Sequence, residues 1–240
     1  MVAVTSSFLN PMFPVAEPTA ADGARFAREL IDVIGEADAP PVHAGAEVPL
    51  SPGTAASDAS DAIVRAARRD SDLPLYVVCG GPLTNVAAAM DAAPDIAGRL
   101  TLVWVGGSLD PDAFEYNRET DAAAATFVLD RPGLAVHQFP LETYRRCAYS
   151  VAELEHDLGG SGALGAWLWN RFATLPLPDW LRIGGVWPLG DSPPVLVTAL
   201  TDESSRYTTA GEGRRIYTDV DFRLLVGDLL ARLHRHERRR

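Results

Sequence analysis

Cysteine is scarce in this chain. Two thiols, Cys79 and Cys147, stand among 240 residues. Two cysteines exclude a disulfide framework, and no C-x-x-C pair offers zinc a thiolate site. Cys79 closes an apolar run, where a small core residue is expected. This usage fits a reducing compartment, so a cytoplasmic protein is expected. Long hydrophobic runs are missing too. Nothing approaches the ~18 consecutive apolar residues of a membrane span. The opening MVAVTSSFLNPMF has neither the basic region nor the long apolar stretch of a signal peptide. Positive charge is in deficit, with 21 basic against 32 acidic residues and a net charge of −11. That excludes nucleic acid as the main partner, because phosphate binding needs a basic surface. The local exception, residues 235–240, reads as a basic, frayed tail. No P-loop, no G-x-S-x-G and no G-x-G-x-x-G occurs.

What is present is apolar patterning. With 47% hydrophobic residues, the chain can build one large α/β core, expected as a single domain over residues 1–240. Short apolar strands are expected at 2–4, 41–44, 75–79, 100–105, 135–139, 186–189 and 215–220. Helices are expected at 20–34, 58–69, 84–93, 122–129, 151–158, 164–174, 195–200 and 222–234. Strands that alternate with helices and read as continuous apolar runs predict a single open, mostly parallel sheet flanked by helices.

Polar constellations follow the strands, where an open α/β sheet binds its ligands. The first is LPLYVVCGGPLTNVAAAM at 73–90. There an apolar strand turns through two glycines into an alanine-rich helix, with Thr84 and Asn85 at the cap positions. The second holds Glu115 and Asn117, which flank Tyr116 and would share one side of an extended segment. A carboxylate beside an amide suits a vicinal diol, and two solvated loop residues are the alternative. The third is WPLGDS at 187–192, where Asp191 is expected either to cap the next helix or to ligate a hard cation. Tyr116 and Trp187 stand beside these groups and could stack a base. His137, inside an apolar strand, reads as a satisfied structural histidine.

Taken in order, these segments resemble the inosine/uridine-preferring nucleoside hydrolase family. GGPLTNVA at 80–87 is similar to its G-P-L-T-N segment. VGG at 105–107, EYN at 115–117 and DAAAA at 121–125 resemble its M-G-G, E-F-N and D-P-E-A-A run. PVHAGAEVPL at 41–50 and LGDSPPVLVTAL at 189–200 complete the set. The resemblance implies hydrolysis of the N-glycosidic bond of ribonucleosides, with a small-molecule nucleoside as partner and a homodimer or homotetramer as assembly. It also implies a bound Ca²⁺ that holds the ribose diol and the attacking water. Carried over by position, the Thr84 carbonyl and the Asp191 carboxylate would be calcium ligands. Glu115, Asn117 and Asn10 would bind the ribose.

Two departures shape the expectation. The family's first strand carries D-x-D-x-G-x-D-D, which supplies most calcium ligands and the catalytic base, and that motif is absent here. A histidine expected before Asp191 is replaced by Gly190. No catalytic residue is therefore identifiable. The chain is expected to hold Ca²⁺ poorly and to hydrolyse nucleosides slowly or not at all. The alternatives are a non-catalytic binder of nucleosides or ribosyl ligands, or a truncated gene product.

Overall fold

A computed structural model describes residues 1–13, 15, 17–51 and 56–239. The chain runs β1 (Val4–Thr5), α1 (Thr19–Ile34), β2 (Val42–His43), α2 (Asp58–Ala67), β3 (Tyr76–Cys79) and α3 (Thr84–Ala92), then a 3-10 turn at Pro94–Arg99. There follow β4 (Thr101–Val105), α4 (Tyr116–Thr120), α5 (Ala122–Leu129), β5 (Ala135–Phe139), α6 (Leu141–Tyr144), β6 (Ala148–Ser150), α7 (Val151–Gly159) and α8 (Gly162–Ala173). The last elements are β7 (Val186–Pro188), α9 (Pro194–Ala199), β8 (Arg206–Thr209), β9 (Arg214–Asp219) and α10 (Phe222–Glu237).

Five strands form the main sheet in the order β3-β4-β5-β9-β8, with β3, β4, β5 and β9 parallel and β8 antiparallel at the edge. The α/β, mostly parallel expectation holds. The strands are nevertheless divided. Beside the main sheet stand a parallel ribbon, β1-β2, and an antiparallel one, β6-β7.

Both faces of the sheet are apolar, as a parallel sheet between helices requires. On one face Leu102, Trp104 and Val136 pack on α2, α3 and α5. Helix α3 is alanine-rich and buried nearly all round, which lets its backbone lie close to the strands. On the other face Val103, Val105, Phe139 and Tyr217 form a second cluster, in which the Phe139 and Tyr217 rings stack at 4.5 Å. Burying each such side chain contributes about 1.5–3 kcal/mol. A third cluster joins α7, α8 and α10 through Leu154, Leu158, Leu164 and Leu233.

Caps fix the helix ends. Glu47 accepts from the Ala20 and Ala21 N–H groups at 2.8 Å each, placing a carboxylate on the positive end of α1. Gly35 ends α1 at φ 72, a conformation that suits glycine. Ser57 and Ser60 form a capping box on α2.

Several expectations are corrected. Helix α4 starts at Tyr116, so residues 115–117 are not extended; Glu115 is the N-cap, held by the orphan N–H groups of the first turn. The N-cap of α3 is Leu83, so Thr84 and Asn85 are its first two helical residues. Asp191 does not cap α9, which begins after Pro193 without a side-chain cap. His137 is not satisfied: its Nδ1 is buried without a partner, and burial and the nearby Arg215 lower its pKa. Helix α10 continues to Glu237, into the stretch read as a frayed tail.

Candidate active site

The carboxyl ends of β3, β4 and β5 converge with the Leu189–Asp191 loop on one cleft of about 570 Å³, a volume that suits a small ligand. Its polar end is built from four turns. Gly80 ends β3, and a Cβ there would stand 3.1 Å from Asp191 Oδ1, so the carboxylate lies directly over the strand end. After β4 the chain turns at Gly107, φ 71, and its N–H donates to Glu115 Oε2 at 2.7 Å.

Glu115 is 1% exposed and accepts from four donors. Oε2 takes the Gly107 and Arg118 N–H groups at 2.7 and 2.9 Å; Oε1 takes the Asn117 N–H at 3.1 Å and the Tyr144 hydroxyl at 2.9 Å. Four bonds fill the lone-pair capacity of a carboxylate, which is how a charged group survives burial. Asn117 is also buried; its Nδ2 donates to the Val105 carbonyl at 2.8 Å, and its side chain lines the cleft. Burial, and then the negative charge of Glu115, raise the Tyr144 pKa, so this phenol stays protonated as a donor.

Asp191 differs from Glu115. It opens onto the cleft, while the surrounding walls strip away enough water to push its pKa up to about 6, with the Glu115 charge adding to the effect. Glu115 and Asp191 thus stand together, one saturated by donors and one open to a ligand, and Asp22, paired with Arg25, is a third carboxylate on the cleft wall.

The remaining wall is mostly apolar, with Thr19 and Asp22 among its residues. Phe13, Phe26, Leu175, Leu177, Leu181 and Trp187 line it. Tyr116 is fixed there by an edge contact with Phe13 at 5.4 Å and by accepting the Asn10 N–H at 3.0 Å. Trp187 is held edge-on by Phe172 at 5.8 Å.

Of the site residues expected from sequence, Glu115, Asn117 and Asp191 meet in this cleft, with Tyr116 and Trp187 beside them. Thr84 and Asn10 do not line it. Thr84 is buried, and its hydroxyl donates to Asp121 Oδ2 at 2.5 Å. Asp121 also accepts the Leu50 N–H at 2.8 Å and caps α5 through Ala124 at 3.0 Å. Asn10 lies behind Tyr116, donating to Thr120 and accepting the Met12 N–H. Asn85 braces the fold, donating to the Ser6 carbonyl at 2.8 Å. Sequence reading missed Tyr144 and the Leu175–Leu181 wall. Tyr144 follows the end of β5, the same kind of position that marked the other three turns.

A mostly parallel α/β sheet with a polar cleft at its strand ends defines a small-ligand-binding α/β protein. Residues 15–183 match the inosine-uridine preferring nucleoside hydrolase family, and the chain belongs to that family. Solved structures agree on the fold. A purine-preferring ribonucleoside hydrolase from Gardnerella vaginalis superposes with a TM-score of 0.69 at 19% identity, covering 90% of this chain and 86% of that one. An inosine-guanosine nucleoside hydrolase gives 0.67 at 18% identity, over 91% and 87%. An inosine-uridine preferring nucleoside hydrolase from Bacillus anthracis gives 0.58 at 18%, over 77% and 66%. No curated protein matches the chain in sequence. The family implies a small-molecule nucleoside substrate. Among the described residues no helix is long and apolar enough to cross a membrane.

Proposed function

We propose that the cleft binds a ribonucleoside and that the reaction is hydrolysis of its N-glycosidic bond. The carrying observation is the division of the cleft. Asp191, Asn117 and the Glu115–Tyr144 pair gather at the strand ends, and most of the other lining residues are apolar or aromatic. A sugar needs hydroxyl partners, and a base needs flat apolar contact. In the reaction the C1′–N bond breaks, water supplies the hydroxyl to C1′, and the proton ends on the departing base. Asp191 is the carboxylate with an open side toward the ligand. Asn117 offers an amide to a hydroxyl, and Glu115 holds the turn that carries Asn117.

We further propose that this chain by itself holds no calcium ion. Calcium takes six to eight oxygens. Glu115 has spent its lone pairs, Thr84 lies off the cleft wall, and Asp191 is the one open carboxylate beside Gly80. Among the described residues no three His, Cys, Asp or Glu side chains stand close enough to share a metal. No step above is routed through an ion.

The test is incubation of the full chain with inosine and with uridine, following free ribose by a reducing-sugar assay and binding by calorimetry. Saturable binding with slow ribose release, abolished in Asp191→Ala, is the expected result. Absence of both binding and release would overturn the assignment.

A further inference from the structure

One face of α1 forms a wall of the cleft. Thr19, Asp22, Gly23 and Phe26 line it, at the i, i+3, i+4 and i+7 spacing of a single helical stripe. Contacts run from this stripe to the strand ends. A Cβ on Gly23 would stand 3.2 Å from Ser6 Cβ and 4.0 Å from the Ser7 carbonyl oxygen, and one on Gly81 would stand 3.7 Å from Ser7 Oγ. Along this line one residue, Ser7, separates α1 from the turn after β3. Gly80 of that turn lies under Asp191. The helix face is therefore a residue's width from the polar group assigned above to the ribose, where the base of the same ligand would reach.

Ionic contacts hold the stripe in place. Arg25 donates to Asp22 Oδ1 through two nitrogens at 3.2 and 3.3 Å, and to Glu29 Oε1 at 2.9 Å. Arg171 of α8 donates to the other oxygen of Glu29 and lies over the Phe26 ring at 4.8 Å, with Arg25 at 4.3 Å from the same ring. Both Arg25 bonds end on Asp22 Oδ1, so Oδ2 has no donor among the described residues. The Asp22 side chain is 42% exposed, open enough for a ligand to meet it. An exposed ion pair of this kind is worth little, so Arg25 orients the carboxylate and leaves one oxygen free.

The charge pattern narrows what this wall can meet. Besides Glu115 and Asp191, Asp22 is the one carboxylate lining the cleft among the described residues, and no lysine, arginine or histidine lines it there. Thr19 spends its hydroxyl oxygen on the Leu9 N–H at 3.0 Å. Asp22 Oδ2 keeps its lone pairs and offers no proton. A base edge that faces it must present N–H groups and turn no lone pair toward it. Guanine does so, because its N1–H and its 2-amino group stand side by side. Hypoxanthine has the N1–H alone. Uracil sets its N–H between two carbonyl oxygens, and adenine sets its amino group beside a ring lone pair. We propose that Asp22 selects the base and that the cleft prefers guanosine, with Oδ2 accepting from the N1–H and the 2-amino group. The inference rests on the reading of the cleft as a ribonucleoside site. Inosine lacks only the 2-amino group of guanosine, so the two ligands isolate the contact.

The test is calorimetry on the full chain with guanosine and with inosine, ribose release being followed in parallel. Guanosine should bind about tenfold tighter or more, because a hydrogen bond to a charged group separates the two ligands. N2,N2-dimethylguanosine, which keeps the N1–H and has no amino hydrogen, should bind no better than inosine. Asp22→Asn should bring guanosine and inosine to about the same affinity. The dimethylated ligand leaves the protein unaltered, so the test stands even if that variant fails to fold. The proposal is overturned if guanosine and inosine bind equally to the native chain, if the dimethylated ligand binds as guanosine does, or if the guanosine preference survives Asp22→Asn. In each of those cases nucleosides still bind, and only the choice of base fails. If neither nucleoside binds or releases ribose, the reading of the cleft fails and this inference falls with it.

Discussion

Tyr144 donates its hydroxyl to Glu115 Oε1 at 2.9 Å and so ties the turn after β5 to the turn after β4. Without the phenol, Glu115 keeps three backbone donors and loses its only side-chain one. Tyr144→Phe should therefore lower unfolding free energy by about 1–2 kcal/mol, the worth of a hydrogen bond to a buried charge. Inosine affinity should fall with it, because the cleft loses the brace between two of its walls. Urea denaturation and calorimetry check both. Unchanged stability would show that the bond does not hold the turns together.

Glu115→Gln probes the same carboxylate from the other side. Each oxygen of Glu115 accepts one backbone N–H at 2.7–3.1 Å and one further donor. Whichever way a glutamine amide is placed, its NH₂ meets at least one backbone N–H. The variant should lose about 2 kcal/mol despite near-identical shape. It also removes a negative charge that raises the Asp191 pKa. A titration of Asp191 by NMR should therefore show that pKa moving downward.

Much of this fold was legible because burial writes periodicity into sequence. The strand expected at 135–139 and the helix at 122–129 are found with the same bounds as β5 and α5. Elements without a buried face left no such trace. Strand β8 is exposed along its whole length, and α4 has five residues. Where a polar residue interrupts an apolar pattern at a strand end, as at Glu115, Asn117 and Asp191, the fold brings the residues to one cleft. Side-chain partners that come from distant segments left no trace in the pattern. The hydroxyl of Thr84 is engaged by Asp121, 37 residues away, and Asn10 by Tyr116 and Thr120, over 100 away.

Calcium should leave this protein unmoved. A site of sub-micromolar affinity would raise the melting temperature strongly at millimolar ion, since stabilisation grows as RT ln(1 + [L]/Kd). With no three His, Cys, Asp or Glu side chains close enough to share an ion among the described residues, melting curves in calcium chloride and in EDTA should coincide, and calorimetry should give no heat beyond dilution. A clear shift between the two buffers would mean that further ligands reach the ion.

The last expectation concerns pH, and its sign follows from one group. Burial and the Glu115 charge raise the Asp191 pKa from 3.8 to about 6. Below pH 4 the carboxyl is protonated in both folded and unfolded chains and leaves stability unchanged. Between pH 4 and 6 the folded chain holds the proton more often than the unfolded one, so this group makes stability fall as pH rises. Above pH 6 the cost of ionising a carboxyl partly shielded by the cleft walls remains. Asp191→Asn removes that cost. The variant should melt higher than the native chain at pH 7.5, and the gap should close on acidification toward pH 4. The same substitution should abolish ribose release, because a binding site keeps an unfavourable charge where the ligand needs it. A variant that is less stable at pH 7.5 would show that Asp191 has stabilising partners, contrary to its open position over Gly80.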